Sequence, residues 1–189
     1  CGVGGDCFVC GEGGEGSEGG EGGEGVVSPD NIDFEVVLEV GDVVTNQFDG
    51  LTISTPDNSF GAMIFDSANP TGGDTDLLAP EKGNVLIISE DGDSADPDDN
   101  MRGGILRFEW DELTNIGSVG VLDIEEAGSK IKLYDSNDML IQVINIEGIG
   151  DNSIQDVSVG ISGVTRMDVV FSGSGALTDI NFLSAADAA

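Results

Sequence analysis

The chain has 189 residues, of which 37 are acidic and six are basic, and its formal net charge is −31 at pH 7. A charge of this sign and size argues against nucleic acids and anionic membrane surfaces as partners, and it favours divalent cations or basic partners. Histidine is absent, which removes the usual general base and the commonest transition-metal ligand. The length predicts one domain with a tail, and no apolar run is long enough for a membrane-spanning helix.

Three cysteines lie within the first ten residues, at Cys1, Cys7 and Cys10. The start at Cys1 rather than Met predicts that an upstream segment has been removed, and a mature N-terminal cysteine resembles that of lipid-anchored bacterial proteins. Cys7 and Cys10 form a Cys-x-x-Cys pair with no second pair and no histidine, which is a poor zinc or redox motif. Two arrangements stay open: a lipid on Cys1 with a Cys7–Cys10 disulfide, or a disulfide from the odd thiol to a neighbouring subunit.

Residues 12–25 read EGGEGSEGGEGGEG, with a glutamate at every third position. This composition predicts a flexible, charged linker. In an extended threefold helix the glutamates would line one edge, about 9 Å apart at ~3.1 Å per residue. We therefore expect residues 1–25 to form an arm rather than part of a packed domain.

A strand pattern follows the arm at residues 34–40, where Phe34, Val36, Leu38 and Val40 share one face. An apolar strand on a long tether is the part needed to complete the open sheet edge of a neighbouring molecule, and head-to-tail donation of such a strand generates a filament. One hypothesis is therefore that these four residues mediate assembly. The alternative is that residues 34–40 are the first strand of the chain's own sheet.

The rest of the chain is divided by Gly, Asn and Asp turns into short alternating segments, which predict strands. At most one helical turn is expected, at residues 111–115. Many short strands without an amphipathic helix predict an all-β sandwich, of the jelly-roll type. The predicted organisation is an arm (1–25), an extended segment (26–44), a β-sandwich (45–183) and a small-residue tail (184–189). The strands are predicted at 47–54, 62–65, 85–89, 105–110, 119–124, 130–134, 140–146, 154–159, 166–171 and 178–182.

The most acidic stretch is residues 84–104, in which a buried-strand pattern runs directly into six carboxylates within ten residues. Carboxylates, an Asn amide and turned backbone carbonyls are the ligands that Ca²⁺ prefers. The EF-hand spacing does not fit, because its glycine position falls on Asp96 and its closing Glu position on Arg102. We expect a loop site completed from elsewhere, with Asp74 and Asp76 as donors. The alternative is a solvated acidic loop without an ion.

Four stretches resemble motifs of secreted bacterial surface domains, of the kind found in exported proteins with PEP-CTERM-type sorting anchors. They are FDSANPTGGDTDL (65–77), GNVLIISEDGD (83–93), GDNS (150–153) and FSGSGA (171–176). The resemblance covers residues 48–182, and it implies an extracellular β-sandwich without enzymatic activity. Matched residue by residue, the motifs give as candidate calcium ligands Asp74, Asp76, Glu90, Asp93, Asp98, Asp99 and Asn100.

The sequence gives little support to an enzymatic function. A Ser or Cys nucleophile would lack a histidine base, and no particular carboxylate pair stands out for glycoside hydrolysis. Trp110 and Tyr134 could stack on a sugar ring, but Trp110 is in phase with Leu106 and Phe108, which favours a core role.

The sequence thus predicts a non-enzymatic extracellular structural protein, a calcium-stabilised subunit of a surface filament or matrix whose partners are copies of itself. The alternative is a lipid-anchored adhesion or carbohydrate-binding module for surface glycans, with membrane contact only through a lipid on Cys1.

Overall fold

The computed structural model describes residues 31–35 and 38–183. Within these ranges there is no α-helix, every strand pair is antiparallel, and no helix could cross a membrane. The predicted all-β class is confirmed. The elements are β1 Asn31–Asp33, β2 Val43–Val44, β3 Leu51–Ser54, β4 Ala62–Asp66, a 3-10 turn Thr75–Leu77, β5 Asn84–Ile88, β6 Gly104–Leu122, β7 Lys130–Tyr134, β8 Leu140–Asn145, β9 Ile154–Phe171 and β10 Ala176–Phe182.

Two long strands, β6 and β9, run through both halves of the sandwich and pair with each other along their length. The first half-sheet has the order β2-β4-β5-β10-β6-β9, and the second has the order β3-β6-β9-β7-β8. Apolar residues of the two halves form one buried cluster, for example Ile64 and Leu177 from the first and Phe108 and Leu133 from the second. A common core between two half-sheets is the β-sandwich that the alternating pattern predicts.

The long strands differ from the prediction, which divided each of them in two. Residues 111–118, including the expected helical turn at 111–115, are strand. The register of β6 against β9 shifts three times between Glu109 and Ser118, and β9 has left-handed glycines at Gly160 and Gly163. Bulges and glycines of this kind bend a strand without ending it. The turn-like stretches at 111–118 of β6 and 160–163 of β9 are therefore bends, through which each long strand passes from one half-sheet to the other.

A second, smaller core lies on the other face of β4 and β5. Met63, Phe65, Val85 and Ile87 point away from the main core and pack against residues of the β4–β5 connection, including Leu77. Strands covered on both faces lose the alternation of apolar and polar residues, which explains the unbroken runs in β4 and β5. The β4–β5 connection, which covers this face, contains Asp74 and Asp76.

The strand predicted at residues 34–40 is not present as such. The ladder consists of Asn31–Asp33, which pair with β10 of the same chain, and Phe34 is already in a bend. Phe34 and Leu38 are buried in the chain's own core, whereas Val40 is 43% exposed. The extended segment therefore packs against its own sandwich through two of the four residues assigned to assembly, Phe34 and Leu38. Val36, the remaining residue assigned to assembly, lies outside the described residues.

Several predicted features lie outside the described residues altogether. They are Cys1, Cys7 and Cys10, the Glu/Gly tract 12–25 and the tail 184–189. The predictions made for them remain predictions.

Candidate functional site

The two acidic loops that the sequence singled out lie against each other. Hydrogen bonds join them at three points: the Thr71 hydroxyl donates to the Pro97 carbonyl at 2.7 Å, the Gly72 N–H to Asp96 Oδ1 at 2.9 Å, and the Asp99 N–H to Asp74 Oδ2 at 2.7 Å. Gly72 has a φ of +65°, and a side chain there would collide with Asp98. Gly72 therefore permits the close approach that brings Asp74 to the β5–β6 loop.

The centre of the site is Asp99, whose side chain is almost fully buried at 4% exposure. Its Oδ2 accepts hydrogen bonds from the Gly175 N–H at 2.8 Å and from the Ser174 hydroxyl at 2.9 Å. The same hydroxyl lies 3.4 Å from Oδ2 of Asp123, which is 0% exposed. Asp123 directly follows β6, and Ser174 and Gly175 directly precede β10. Asp99 thus links the acidic loop to the ends of two central strands.

One serine hydroxyl cannot serve both carboxylates. It carries a single proton, and the shorter distance assigns that proton to Asp99. Oδ1 of Asp123 is satisfied by the Asn152 N–H at 2.9 Å, which leaves Oδ2 with only the 3.4 Å contact to the shared hydroxyl. A fully buried carboxylate oxygen with so weak a donor is costly unless a proton or a cation is supplied.

The pKa values of the site reflect the same shortage of positive charge. Burial raises the pKa of Asp99 to about 7, despite the opposing hydrogen bond from Gly175, and burial also raises the pKa of Asp123 to about 6. The pKa of Asp98 rises to about 6, through burial and then through the charge of Asp74. Burial likewise raises the pKa of Asp74. All four shifts favour the neutral form, which a bound cation would reverse.

Two further carboxylate oxygens are buried without a hydrogen-bond partner among the described residues: Oδ1 of Asp76 and Oδ1 of Asp98. Asp76 acts on both Asp99 and Asp123 through its charge, and the charge of Glu90 likewise acts on Asp98. Five of the seven predicted ligands are therefore brought together, namely Asp74, Asp76, Glu90, Asp98 and Asp99.

The other two predicted ligands are used in local turns. Asp93 is exposed, and its Oδ1 accepts the Ala95 N–H at 2.9 Å. The side chain of Asn100 accepts the Arg102 N–H at 3.1 Å. The acidic stretch and the motif match placed both residues in the candidate set, but neither takes part in the buried cluster.

Asp123 and Ser174 were missed as individual site residues. Asp123 reads as a polar interruption at the end of a strand, and a single Ser in FSGSGA has no distinctive pattern. A signal was nevertheless present, because Ser174 lies in one of the four stretches that carry the family resemblance and Asn152 lies in another. Three of the four stretches contribute a hydrogen-bonding residue to this cluster, and the fourth, 83–93, contributes the charge of Glu90.

The carboxylates around Asp99 suit a cation in their donor chemistry, but not in their present positions. Within residues 31–35 and 38–183, no three acidic side chains converge closely enough to hold an ion as they stand. The donor set is nonetheless chemically suitable, since it consists of carboxylate, hydroxyl and loop carbonyl oxygens, the ligands of Ca²⁺. A cation here would require Asp98 or Asp76 to turn its unpartnered oxygen toward Asp99 and Asp123.

Trp110 and Tyr134 are both engaged within the chain. Trp110 stacks on Phe108 at 6.2 Å between ring centroids and meets the edge of Phe182 at 6.4 Å. The guanidinium of Arg166 lies 3.7 Å from the ring centre of Tyr134. The core role expected for Trp110 agrees with its packing against the main cluster, and neither ring forms an open platform for a sugar.

No protein-family model matches the chain, and no curated protein sequence matches it. Three solved structures are similar in part. A fucose-binding module of Streptococcus pneumoniae is 14% identical with a TM-score of 0.34, over 53% of this chain and 72% of that one. The module CpGH89CBM32-6 produced by Clostridium perfringens is 8% identical with a TM-score of 0.40, over 74% and 97%. The family 32 carbohydrate-binding module of C. perfringens NanJ, in complex with galactose, is 11% identical with a TM-score of 0.34, over 68% and 94%. Superpositions of this quality transfer neither a ligand nor a function to the present chain.

Proposed function

We propose that the chain is a non-enzymatic, calcium-stabilised β-sandwich module of an extracellular protein. The observation that carries the proposal is the pair Asp99 and Asp123, two buried carboxylates that share one hydroxyl. A divalent cation would supply the positive charge that this end of the sandwich lacks. Asp74, Asp76, Asp98, Asp99 and Asp123 would hold it, with carbonyl oxygens of the two loops completing the shell.

The role of the cation would be to fix loops to the sheet. The acidic loop, the β4–β5 connection and the strand ends at Asp123 and Ser174 are separated by long stretches of sequence, yet they meet at one place. An ion bound there cross-links these elements in the folded state only, and it therefore adds to the free energy of unfolding. Extracellular modules bind Ca²⁺ with dissociation constants of roughly 10⁻⁴–10⁻³ M, which sets the concentrations for a test.

The place proposed for the module is a surface filament or matrix, in which copies of the chain contact one another. The alternative, a carbohydrate-binding or adhesion module, is less favoured because Trp110 and Tyr134 are covered by neighbours. Assembly by donation of residues 34–40 is also less favoured, since Phe34 and Leu38 fill the chain's own core.

The experiment is a thermal unfolding series on the full chain in EDTA and in roughly 0.1 to 10 mM CaCl₂, which spans the dissociation constants expected for extracellular modules. A net charge of −31 is screened by any salt, so each calcium sample is matched by NaCl of equal ionic strength and by MgCl₂. We expect the Ca²⁺ stabilisation to reach about 2.7 kcal/mol at a hundredfold excess over the dissociation constant.

Two variants make the test specific. Asp123→Asn keeps the acceptor for the Asn152 N–H but removes the charge, so it should abolish the calcium response. Asp93→Asn removes the same charge from an exposed turn of the acidic β5–β6 loop and should keep the response. A melting temperature that does not distinguish Ca²⁺ from NaCl, or an Asp123→Asn variant that responds like the natural protein, would refute the calcium proposal.

A further inference from the structure

The edge strand β8 is apolar and uncharged. Its sequence, LIQVIN, contains no charged residue and no proline, although 23% of the chain is charged. Together with the residue before it, the strand exposes four large apolar side chains within five positions: Met139 (65%), Leu140 (51%), Ile141 (39%) and Val143 (41%). No other part of the described chain concentrates exposed apolar residues in this way. The strand β8 therefore offers an apolar surface to a partner.

The free side of β8 lacks the usual protection of a sheet edge. Within the described ranges β7 is its only neighbour in the sheet order. Proteins protect such edges by keeping them short or by placing charges, prolines or bulges on them. The edge strands β1, β2 and β3 have only three, two and four residues, and the free edge of β9 at 154–163 carries Asp156 and two left-handed glycines. The six residues of β8 have one irregularity, at the start of the strand.

The hydrogen bonding of the β7–β8 pair determines which backbone groups of β8 face outward. Directly after β8, the Ile146 N–H donates to the Ser129 carbonyl at 2.9 Å, so the backbone groups of Ile146 face β7. Successive residues of an antiparallel strand alternate in this respect, and the same register places Ile144 toward β7. Val143 and Asn145 therefore turn both their N–H and their C=O groups to the free side.

We propose that β8 pairs with β8 of a second copy of the chain, antiparallel and with Val143 opposite Val143 of that copy. A twofold axis normal to the sheet produces this pairing, and it joins the second half-sheets of the two molecules into one sheet. Val143 then exchanges two hydrogen bonds with its counterpart, and Asn145 comes opposite Ile141. Centring on Val143 overlaps the strands over most of their length, and the exposed Ile141 and Val143 side chains of both copies meet around the axis.

The distribution of charge favours this strand as the place where two copies meet. With a net charge of −31 each, two copies repel over most of their surface. The strands β7 and β8 carry Lys130 and Lys132 and no carboxylate, and Asp138 in the turn between them pairs with Arg166. In the proposed dimer the two Lys132 residues lie three strand spacings apart, about 14 Å, which exceeds the Debye length of ~8 Å. Neither like-charged lysines nor carboxylates of these strands are brought into contact.

The proposed interface is small, so the dimer should be weak. One strand pair with its side chains falls at the low end of interface sizes, below about 1,200 Å². A weak contact suits modules that are held close together, and in this respect the inference rests on the proposed surface assembly. A twofold contact closes at two copies. Pairing through β8 therefore builds dimers, and a longer filament needs a second contact.

The first test measures the mass of the full chain by sedimentation up to millimolar concentration. Salt of about 0.15 M screens the net charge, and EDTA and a reductant remove any contribution from calcium or the cysteines. We expect a monomer–dimer equilibrium. Val143→Lys places two lysines opposite each other at the axis and should weaken dimerisation about tenfold or more. The matched control is Val43→Lys, the same change at a 44% exposed position of the edge strand β2, which should dimerise like the natural chain.

A mixture of two variants tests whether residue 143 faces itself. Val143→Glu should be as monomeric as Val143→Lys, because like charges again meet at the axis. An equimolar mixture of the two variants should restore the dimer, since a glutamate then lies opposite a lysine. Unchanged dimerisation of Val143→Lys, an equal loss in Val43→Lys, or a mixture that stays monomeric would each overturn the proposal.

Hydrogen exchange identifies what covers the edge. The N–H groups of Val143 and Asn145 should exchange more slowly as the protein concentration rises, whereas that of Ile144, which faces β7, should change less. Full protection of Val143 in dilute, monomeric protein would overturn the proposal, because a segment of the same chain would then cover β8. A chain that stays monomeric at millimolar concentration with Val143 unprotected would also overturn it and leave the edge to a different partner. Because these measurements are made without calcium, their failure leaves the calcium proposal standing, and the reverse.

Discussion

Asp99 and Asp123 are contacted by the same hydroxyl, that of Ser174, at 2.9 and 3.4 Å. The two residues are 24 positions apart in sequence and come from different connections, yet they face each other in the interior. A hydroxyl between two carboxylates cannot satisfy both, because its single proton leaves one of them with the weaker hydrogen bond. Stability should therefore depend on what else reaches this point, a proton or a cation.

The first prediction concerns pH in the absence of calcium. The pKa values of Asp99 and Asp123 are raised to about 7 and about 6 in the folded chain, against about 3.9 for an unfolded aspartate. Between these limits the folded state binds more protons than the unfolded state, so the free energy of unfolding should fall as pH rises from about 4 to 7. Urea unfolding in EDTA at several pH values measures this slope.

The pH dependence has a control and a contrary outcome. Asp99→Asn should flatten the slope, because it removes the group with the highest pKa of the site. Saturating Ca²⁺ should also flatten it, since the ion stabilises the charged forms that high pH produces. A free energy of unfolding that rises from pH 4 to 7 in EDTA would contradict the buried, repelled state of these carboxylates.

The second prediction compares two serines. Ser174→Ala removes the hydroxyl donor of the buried Asp99 and should cost about 1–3 kcal/mol in calcium-free solution. Ser153 is the control, because its Oγ is buried without a partner among the described residues. Ser153→Ala removes an unsatisfied polar atom and should be neutral or slightly stabilising. Chemical denaturation of both variants decides the matter, and equal losses would show that Ser174 is not specifically required.

The third prediction concerns Phe34 in the extended segment that precedes the sandwich. Phe34 is fully buried and meets Phe48 edge-to-face at 6.1 Å, so Phe34→Ala should lower the free energy of unfolding by about 3–5 kcal/mol. Val40→Ala, at a position that is 43% exposed, should have little effect. The loss at Phe34 should be the same in dilute and concentrated protein. A loss that appears only at high concentration would restore strand donation between molecules.

The fourth prediction separates two costs of replacing glycine. Gly41 and Gly50 both have left-handed backbone, with φ of +86° and +68°. A side chain at Gly50 would meet nothing, so Gly50→Ala should cost only about 1 kcal/mol of backbone strain. A side chain at Gly41 would collide with the Ser94 carbonyl of the acidic loop, so Gly41→Ala should cost more, about 2–3 kcal/mol. Equal losses would mean that the acidic loop can move away from Gly41.

The sequence predicts the sandwich where local pattern decides the structure. Residues 130–134 alternate cleanly between polar and apolar, and β7 has those bounds. At residues 34–40 the alternation misleads, because only Asn31–Asp33 of this segment pair with β10, and Phe34 and Leu38 reach the core from outside the strand. Side-chain period specifies which residues are buried, but not which backbone groups find a partner.

The candidate site was predictable in part. Clustered carboxylates after β5 and a second acidic turn at Asp74 marked two loops that meet in space. Asp123 could not be found this way, since its burial and its φ of +60° depend on loops far away in sequence. Asp93 was included because it lies in the acidic stretch and in the motif 83–93, but its carboxylate is used in a local turn.

The pairing of Asn31 with Asn181 has a mechanical consequence. Because β1 and β10 are antiparallel, the N-terminal end of β1 and the C-terminal end of β10 lie side by side. Tension applied between them would peel β1 from β10 one residue pair at a time, rather than load all the hydrogen bonds of the ladder together. Under stretching, the module should release its first strand at low force and lengthen, while β6 and β9 hold the remainder intact.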